Sequence, residues 1–152
     1  MGELSLKIKL KNNLSITLLQ MEDLERIPTF FRFEDLRIYN KALEYIDWVH
    51  NTVKMFPEEN GLGERYVKSA EAIALNIAEG SSRNKSQFVY YLKMAKSAVR
   101  ECVVYTAIGK SQQYLDEEAI ESSRSHLMEM TKMIGALIGS LQKSMPGIVD
   151  DE

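Results

Sequence analysis

Between Gly80 and Arg100 the chain places Arg83, Lys85, Lys93, Lys96 and Arg100, and not a single Asp or Glu. Lys93, Lys96 and Arg100 stand at i, i+3 and i+7, the spacing that brings side chains to one face of a helix. Cations without an internal counter-charge suit phosphate groups, because each neutralised phosphate releases counterions and adds to a salt-dependent affinity. Tyr90, one turn before Lys93, could offer a ring on which an unpaired base stacks. A plain solvated helix face is the competing reading.

Catalytic and metal chemistry find less support. Asp47 and His50 have the i, i+3 spacing of carboxylate and histidine pairs that hold metals inside bundle proteins. Such a site needs a second like pair, and His126 follows Ser123 instead. Neither histidine has an arginine four to six residues away, the pair a helical ribonuclease would use. There is no Ser-His-Asp arrangement, no phosphate-cradling glycine loop and no nucleotide fingerprint. The sequence therefore predicts no catalytic residue, no metal and no cofactor, and points to a binding protein in place of an enzyme.

The elements that must position these residues are bounded by size and composition. At 152 residues, 45% hydrophobic and 27% charged, the chain is long enough for one self-sufficient core and ordinary in make-up. A formal charge of -3 excludes the globally basic footprint of a DNA-packing protein, so any nucleic-acid contact must be a local patch. Cys102 is the single cysteine, which rules out an intramolecular disulfide and a thiolate zinc site and fits a reducing, cytoplasmic setting. No stretch is long and apolar enough to span a membrane, and Lys7 and Lys9 interrupt the N-terminal apolar residues where a signal peptide needs a continuous run.

Periodicity then assigns the elements. Leu4, Leu6, Ile8 and Leu10 alternate with polar residues, as do Leu14, Ile16 and Leu18, with Asn12-Asn13 between them. Residues 1-32 thus read either as an extension holding a short β-hairpin or as a loosely held extension before the domain proper. From Phe33 the period becomes helical, with Leu36, Tyr39, Leu43, Ile46, Val49 or His50, Val53 and Phe56 facing inward. Pro57 and Gly61 close that helix. A second runs from about Gly63 to Glu79, with Gly80 as its left-handed C-terminal stop. The third starts at an Asn84 and Gln87 capping box and reaches about Gln113, and Asp116 caps a fourth that ends near Lys143. Short connections force neighbours antiparallel, so residues 33-143 are expected to form an all-α, up-down-up-down four-helix bundle, with 144-152 as a flexible tail.

The motifs within this frame carry a resemblance. Phe33-Glu34-Asp35-Leu36 followed by Lys41-Ala42, then Phe56-Pro57, Gly61-Leu62, Asn76-Ile77-Ala78-Glu79-Gly80 with Arg83, and Phe88 to Ala95 ending at Glu101 resemble the four-helix bundle family encoded in 23S rRNA intervening sequences. The likeness runs from about Phe33 to Leu141. It implies an antiparallel four-helix bundle that assembles as a homopentamer. A related branch serves diversity-generating retroelements by binding reverse transcriptase and nucleic acid, so the implied partners are copies of the chain itself, RNA, or a reverse-transcriptase-like protein. Where the family has a Gln and paired arginines early in the second helix, this chain has Arg65, Val67 and Lys68, leaving Lys68 as that helix's contribution to a cationic surface. Ser97-Ala98 replaces the usual Gly-Ser in the third helix, and the N-terminal extension has no family counterpart.

Two further groups complete the reading. The first helix carries a second apolar face of Ile38, Ala42, Tyr45, Trp48 and Met55 beside its inward set. An aromatic side chain buries about 150–250 Å², at about 25 cal/mol per Å², so this face is expected to be covered by another subunit. Asn76 and Glu79, flanking Ile77 and Ala78 at the turn into Gly80, are expected to be structural, satisfying backbone groups at the helix end.

Overall fold

The computed structural model describes residues 2–24 and 30–145, with the backbone alone for 14–24. The described residues form five α-helices: α1 (Gly2–Leu24), α2 (Arg37–Thr52), α3 (Leu62–Ser81), α4 (Lys85–Ser111) and α5 (Glu117–Lys143). Short 3-10 turns at Arg32–Asp35, Val53–Met55 and Glu58–Asn60 bracket α2 and lead into α3. No strand occurs among the described residues. Residues Met1–Phe30 and Phe31–Glu152 form two separate units. Of the expected C-terminal tail, residues 146–152 lie outside the described residues.

The N-terminal hairpin is corrected to a single helix. An isolated hairpin is marginal in water, whereas a helix satisfies its backbone hydrogen bonds within one segment. Leu, Lys, Glu and Met are also good helix formers. The period-two pattern consequently fails to define one buried face, and Leu4, Leu6, Ile8 and Leu10 are all exposed.

In the second unit, α3 packs on α2 and α4, and α5 packs on α4 and α2, so each long helix has two neighbours in a closed cycle. The helix ends follow their local chemistry. Gly61, at φ 64°, takes the left-handed conformation that leads into α3. Asp116 accepts the Ala119 N–H at 2.8 Å, and Glu117 and Glu118 occupy the first turn of α5, where the helix dipole favours negative charge.

Gly80 does something other than end a helix by turning left-handed. It lies within α3 and has no positive φ. A Cβ placed on it would stand 2.6 Å from the Cβ of Tyr91 and 2.8 Å from Cδ2 of Phe88. Glycine is therefore required by the close approach of α4, not by backbone conformation. A methyl there would have to push α4 away.

The α2 stripes also change places. Ile38, Ala42, Tyr45 and Val49, at i, i+4, i+7 and i+11, are the fully core-facing set. Leu36, Tyr39, Ile46 and Val53 pack on the core only in part, and Leu43 is exposed. The reason is tertiary: α2 is covered from two sides, by α3 and α5, so its buried arc centres between the two flanking contacts.

At the middle of the core each long helix contributes one hydroxyl to a single cluster. Tyr45 of α2 lies 2.8 Å from the Tyr66 hydroxyl of α3 and 2.9 Å from the Ser123 hydroxyl of α5. Thr106 of α4 lies 2.9 Å from Tyr66 and 2.7 Å from Ser123, and Tyr66 lies 3.1 Å from Ser123. Thr106 also donates to the Cys102 carbonyl at 2.8 Å. Four buried hydroxyls thereby satisfy one another, and among the described residues no buried side-chain nitrogen or oxygen lacks a partner. Burial, first of all, raises the phenol pKa of both Tyr45 and Tyr66. The Cys102 thiol beside them is pushed up to about 12, by burial and then by the charge of Glu101.

Two outcomes follow from this packing. Gly80→Ala should lower unfolding free energy by about 1–3 kcal/mol, the usual cost of overpacking, despite alanine's higher helix propensity; denaturant titration reads it, and unchanged stability would contradict the close approach. As for pH, Cys102 in the unfolded chain ionises near 9.0 while the folded thiol keeps its proton to about 12. The unfolded state then binds fewer protons, so this group's contribution is intact below pH 9 and is lost as pH rises toward 12. Cys102→Ala should show a shallower loss of stability across that window, by at most about 1.4 kcal/mol per pH unit; equal slopes in both proteins would exclude it.

Candidate nucleic-acid interface

α4 begins at Asn84, whose side chain accepts the Gln87 N–H at 2.9 Å. Only that half of the expected capping box forms among the recorded hydrogen bonds. The cap fixes the first turn and with it the register of every cation downstream. Unlike α5, α4 has no acidic residue in its first turn, and Lys85 stands there instead. A cation at the positive end of a helix dipole costs a few tenths of a kcal/mol. That placement adds to the positive potential of this end of the helix.

The predicted cations divide by environment. Arg83 is tied back to α3, where Glu79 accepts from its guanidinium, and that guanidinium sits 5.8 Å from the Tyr91 ring centre. The hydrogen bond that Arg83 donates to Glu79, and then the charge of Glu79, raises the Arg83 pKa further. Lys68 lies 3.4 Å from Glu64 on the same face of α3. Lys85, Lys93, Lys96 and Arg100 have no carboxylate within ion-pairing distance among the described residues. Lys93 and Arg100 are exposed and Lys96 is half-buried. The one acid adjoining this run, Glu101, accepts from Ser69 of α3 at 2.8 Å and so faces away from Lys96. Tyr90 is 59% exposed and meets Tyr91 edge-on at 5.4 Å between ring centres.

Tertiary structure adds residues that the linear reading missed. Val103, at i+7 from Lys96 and i+3 from Arg100, forms one wall of an open groove of about 220 Å³ between α4 and α5. Leu127, Met128 and Thr131 of α5 line it, together with Arg124 and Lys132. Two cations from α5 thus stand in one groove with Val103 of α4. Their i, i+4 and i+8 spacing with Met128 was visible in the sequence, but nothing there showed that Val103 of α4 would face them.

The expected subunit face is corrected. Ile38, Ala42 and Tyr45 are 3%, 0% and 0% exposed within the chain itself, so they belong to its own core and are closed to another subunit. Trp48 is half-buried, stacked on Tyr45 with ring centres 5.7 Å apart and close to His126 of α5. Met55 alone of the predicted set stands free, at 85% exposure. The apolar excess was real, but α3 and α5 cover all of it except Met55 and part of Trp48.

The structural residues sit as follows. Asn76 donates to the Ala72 carbonyl one turn earlier at 2.8 Å, inside α3 and not at its end. Glu79 is the Arg83 partner, and Gly80 is the contact point with α4. His50 lies 3.5 Å from Glu71 of α3. Among the described residues no group of three or more His, Cys, Asp or Glu side chains is placed to hold a metal ion. No helix among them is long and apolar enough to cross a membrane.

With this geometry in place, comparison with known proteins is informative. The family model described as 23S rRNA-intervening sequence protein matches residues 34–136, from the turn before α2 to most of the way along α5. The chain belongs to this family. A solved structure of a protein of unknown function from the S23 ribosomal protein family of Bacteroides thetaiotaomicron VPI-5482 is 21% identical. The match covers 66% of this chain and 97% of that one at a TM-score of 0.61, which establishes a shared fold. No curated protein matches the chain. The family match spans the cationic stretch of α4 and both Arg124 and Lys132, and leaves α1 outside it.

Proposed function

We propose that residues 33–143 act as a non-enzymatic, up-down-up-down four-helix scaffold that self-associates and binds RNA, or a protein that handles RNA, through the cationic face of α4. The antiparallel sense is supported by paired contacts whose numbers run oppositely: Tyr66 meets Thr106, Ser69 meets Glu101 and Gly80 meets Tyr91. Between α2 and α5 the same holds, with Tyr45 meeting Ser123 and Lys41 meeting Glu129.

The observation that carries the binding reading is the contrast among the cations. Arg83 and Lys68 have carboxylate partners of their own, whereas Lys85, Lys93, Lys96 and Arg100 have none among the described residues. A row of charges without intramolecular partners contributes nothing to holding the helices together and repels itself. It fits a polyanion that supplies the missing counter-charge. Repeated around an assembly, five copies in the homopentamer that the family resemblance implies, the row would become a continuous cationic band. A cytoplasmic ring of this kind needs no cofactor.

The second reading, a protein-directed adaptor ring without RNA affinity, draws on the exposed apolar side chains Met94 and Val104 lying among these cations on α4. A titration of fluorescently labelled single-stranded RNA at two salt concentrations separates the two. Three phosphate contacts per chain from Lys93, Lys96 and Arg100 should give a slope of log affinity against log salt of about -2. Lys93→Glu/Lys96→Glu should weaken binding more than tenfold and flatten that slope. Absence of binding at low salt, or unchanged affinity in the double variant, would leave the adaptor. Light scattering of the same sample reads the subunit number.

A further inference from the structure

The α4–α5 groove has a composition that phosphates alone do not explain. Its floor is apolar, formed by Val103, Leu127 and Met128, and its cations Arg124 and Lys132 stand among these side chains. Met128 is 55% exposed and Val103 is 37% exposed, so the floor is open. An occupant matching both features would carry an apolar pair next to a block of carboxylates. The chain holds one such segment outside the described residues: Pro146-Gly147-Ile148-Val149-Asp150-Asp151-Glu152.

We propose that this segment of one copy docks into the α4–α5 groove of a second copy, with Ile148 and Val149 on Val103 and Met128 and the acidic block against Arg124 and Lys132. Reach decides between the same chain and a neighbour. Thr131 and Met128 lie 14 and 17 residues before Met145 along α5, or about 21 and 25 Å at the rise of an α-helix. Val149 is four residues past Met145 and extends at most about 14 Å from it. Within one chain the apolar pair falls short of the floor, and only a second copy can place the apolar and acidic residues there together. The contact is heterologous, tail to groove, so it can close into a ring or propagate. It replaces the α2 face, now buried, as the source of subunit contact, and in that respect it rests on the self-association reading above.

The test uses the full chain with Asp150→Lys, Asp151→Lys and Glu152→Lys, which keeps its length but cannot dock its own tail. Methionine and valine methyls are isotope-labelled, Met128 is assigned through Met128→Leu, and a synthetic peptide of residues 144–152 is added during NMR. Saturable shifts of the Met128 and Val103 methyls, weakened at least tenfold by Arg124→Glu/Lys132→Glu, are the expected result. No shift at millimolar peptide, or a shift produced by single-stranded RNA and not by the peptide, would overturn the assignment. Light scattering of the natural and tail-reversed chains keeps the two ideas apart. Equal association in both, with no peptide shift, sinks the docking and leaves self-association standing; a natural chain that stays single sinks both, whatever the peptide does.

Discussion

Tyr45, Tyr66, Thr106 and Ser123 bring one hydroxyl from each of the four long helices to a point deep in the core. A buried hydroxyl left without a partner costs about 1–3 kcal/mol, so the cluster penalises any helix that slides or rotates out of register. Apolar packing alone tolerates many nearly equivalent arrangements; a shared polar point does not. With Thr106 donating to the Cys102 carbonyl, three remaining hydrogens serve five close oxygen pairs. The bonds must therefore be shared or exchange in concert, which couples all four helices through one site.

Register fixed in the core sets the surface. Thr106 lies on the buried side of α4, and Lys93, Arg100 and Val104 lie on the opposite one. Holding Thr106 inward therefore holds the cations outward. The same register brings Ser69 to Glu101, which draws the one nearby carboxylate toward α3. It also sets α5 beside Val103 of α4, where Arg124 and Lys132 stand along an apolar groove. A core interaction thus decides which charges face outward.

Much of the second unit could be read in advance, for local reasons. The N-caps Asn84 and Asp116 act within three residues, and both hydrogen bonds are where the sequence put them. The family motifs are contiguous runs, and the match over residues 34–136 covers the same span. Errors fell where a local rule had a non-local competitor. Gly80 reads as a helix terminator by residue type, but its bare Cα is occupied by Phe88 and Tyr91. The N-terminal alternation reads as strand, but helix propensity and self-contained hydrogen bonding prevail.

What the sequence settled by itself was the set of helices in residues 33–143, their caps, the family and the cationic run on α4, because periodicity, capping and charge act between residues a few positions apart. Tertiary structure alone decided which α2 stripe is core: Tyr45 is fully buried between α3 and α5, whereas its neighbour Ile46 packs on the core only in part. It alone also assembled the four hydroxyls, from positions as far apart as 45 and 123, and set Arg124 and Lys132 in one groove with Val103 of α4. Those outcomes depend on the rotation and lateral placement of whole helices, and no spacing along the chain encodes either.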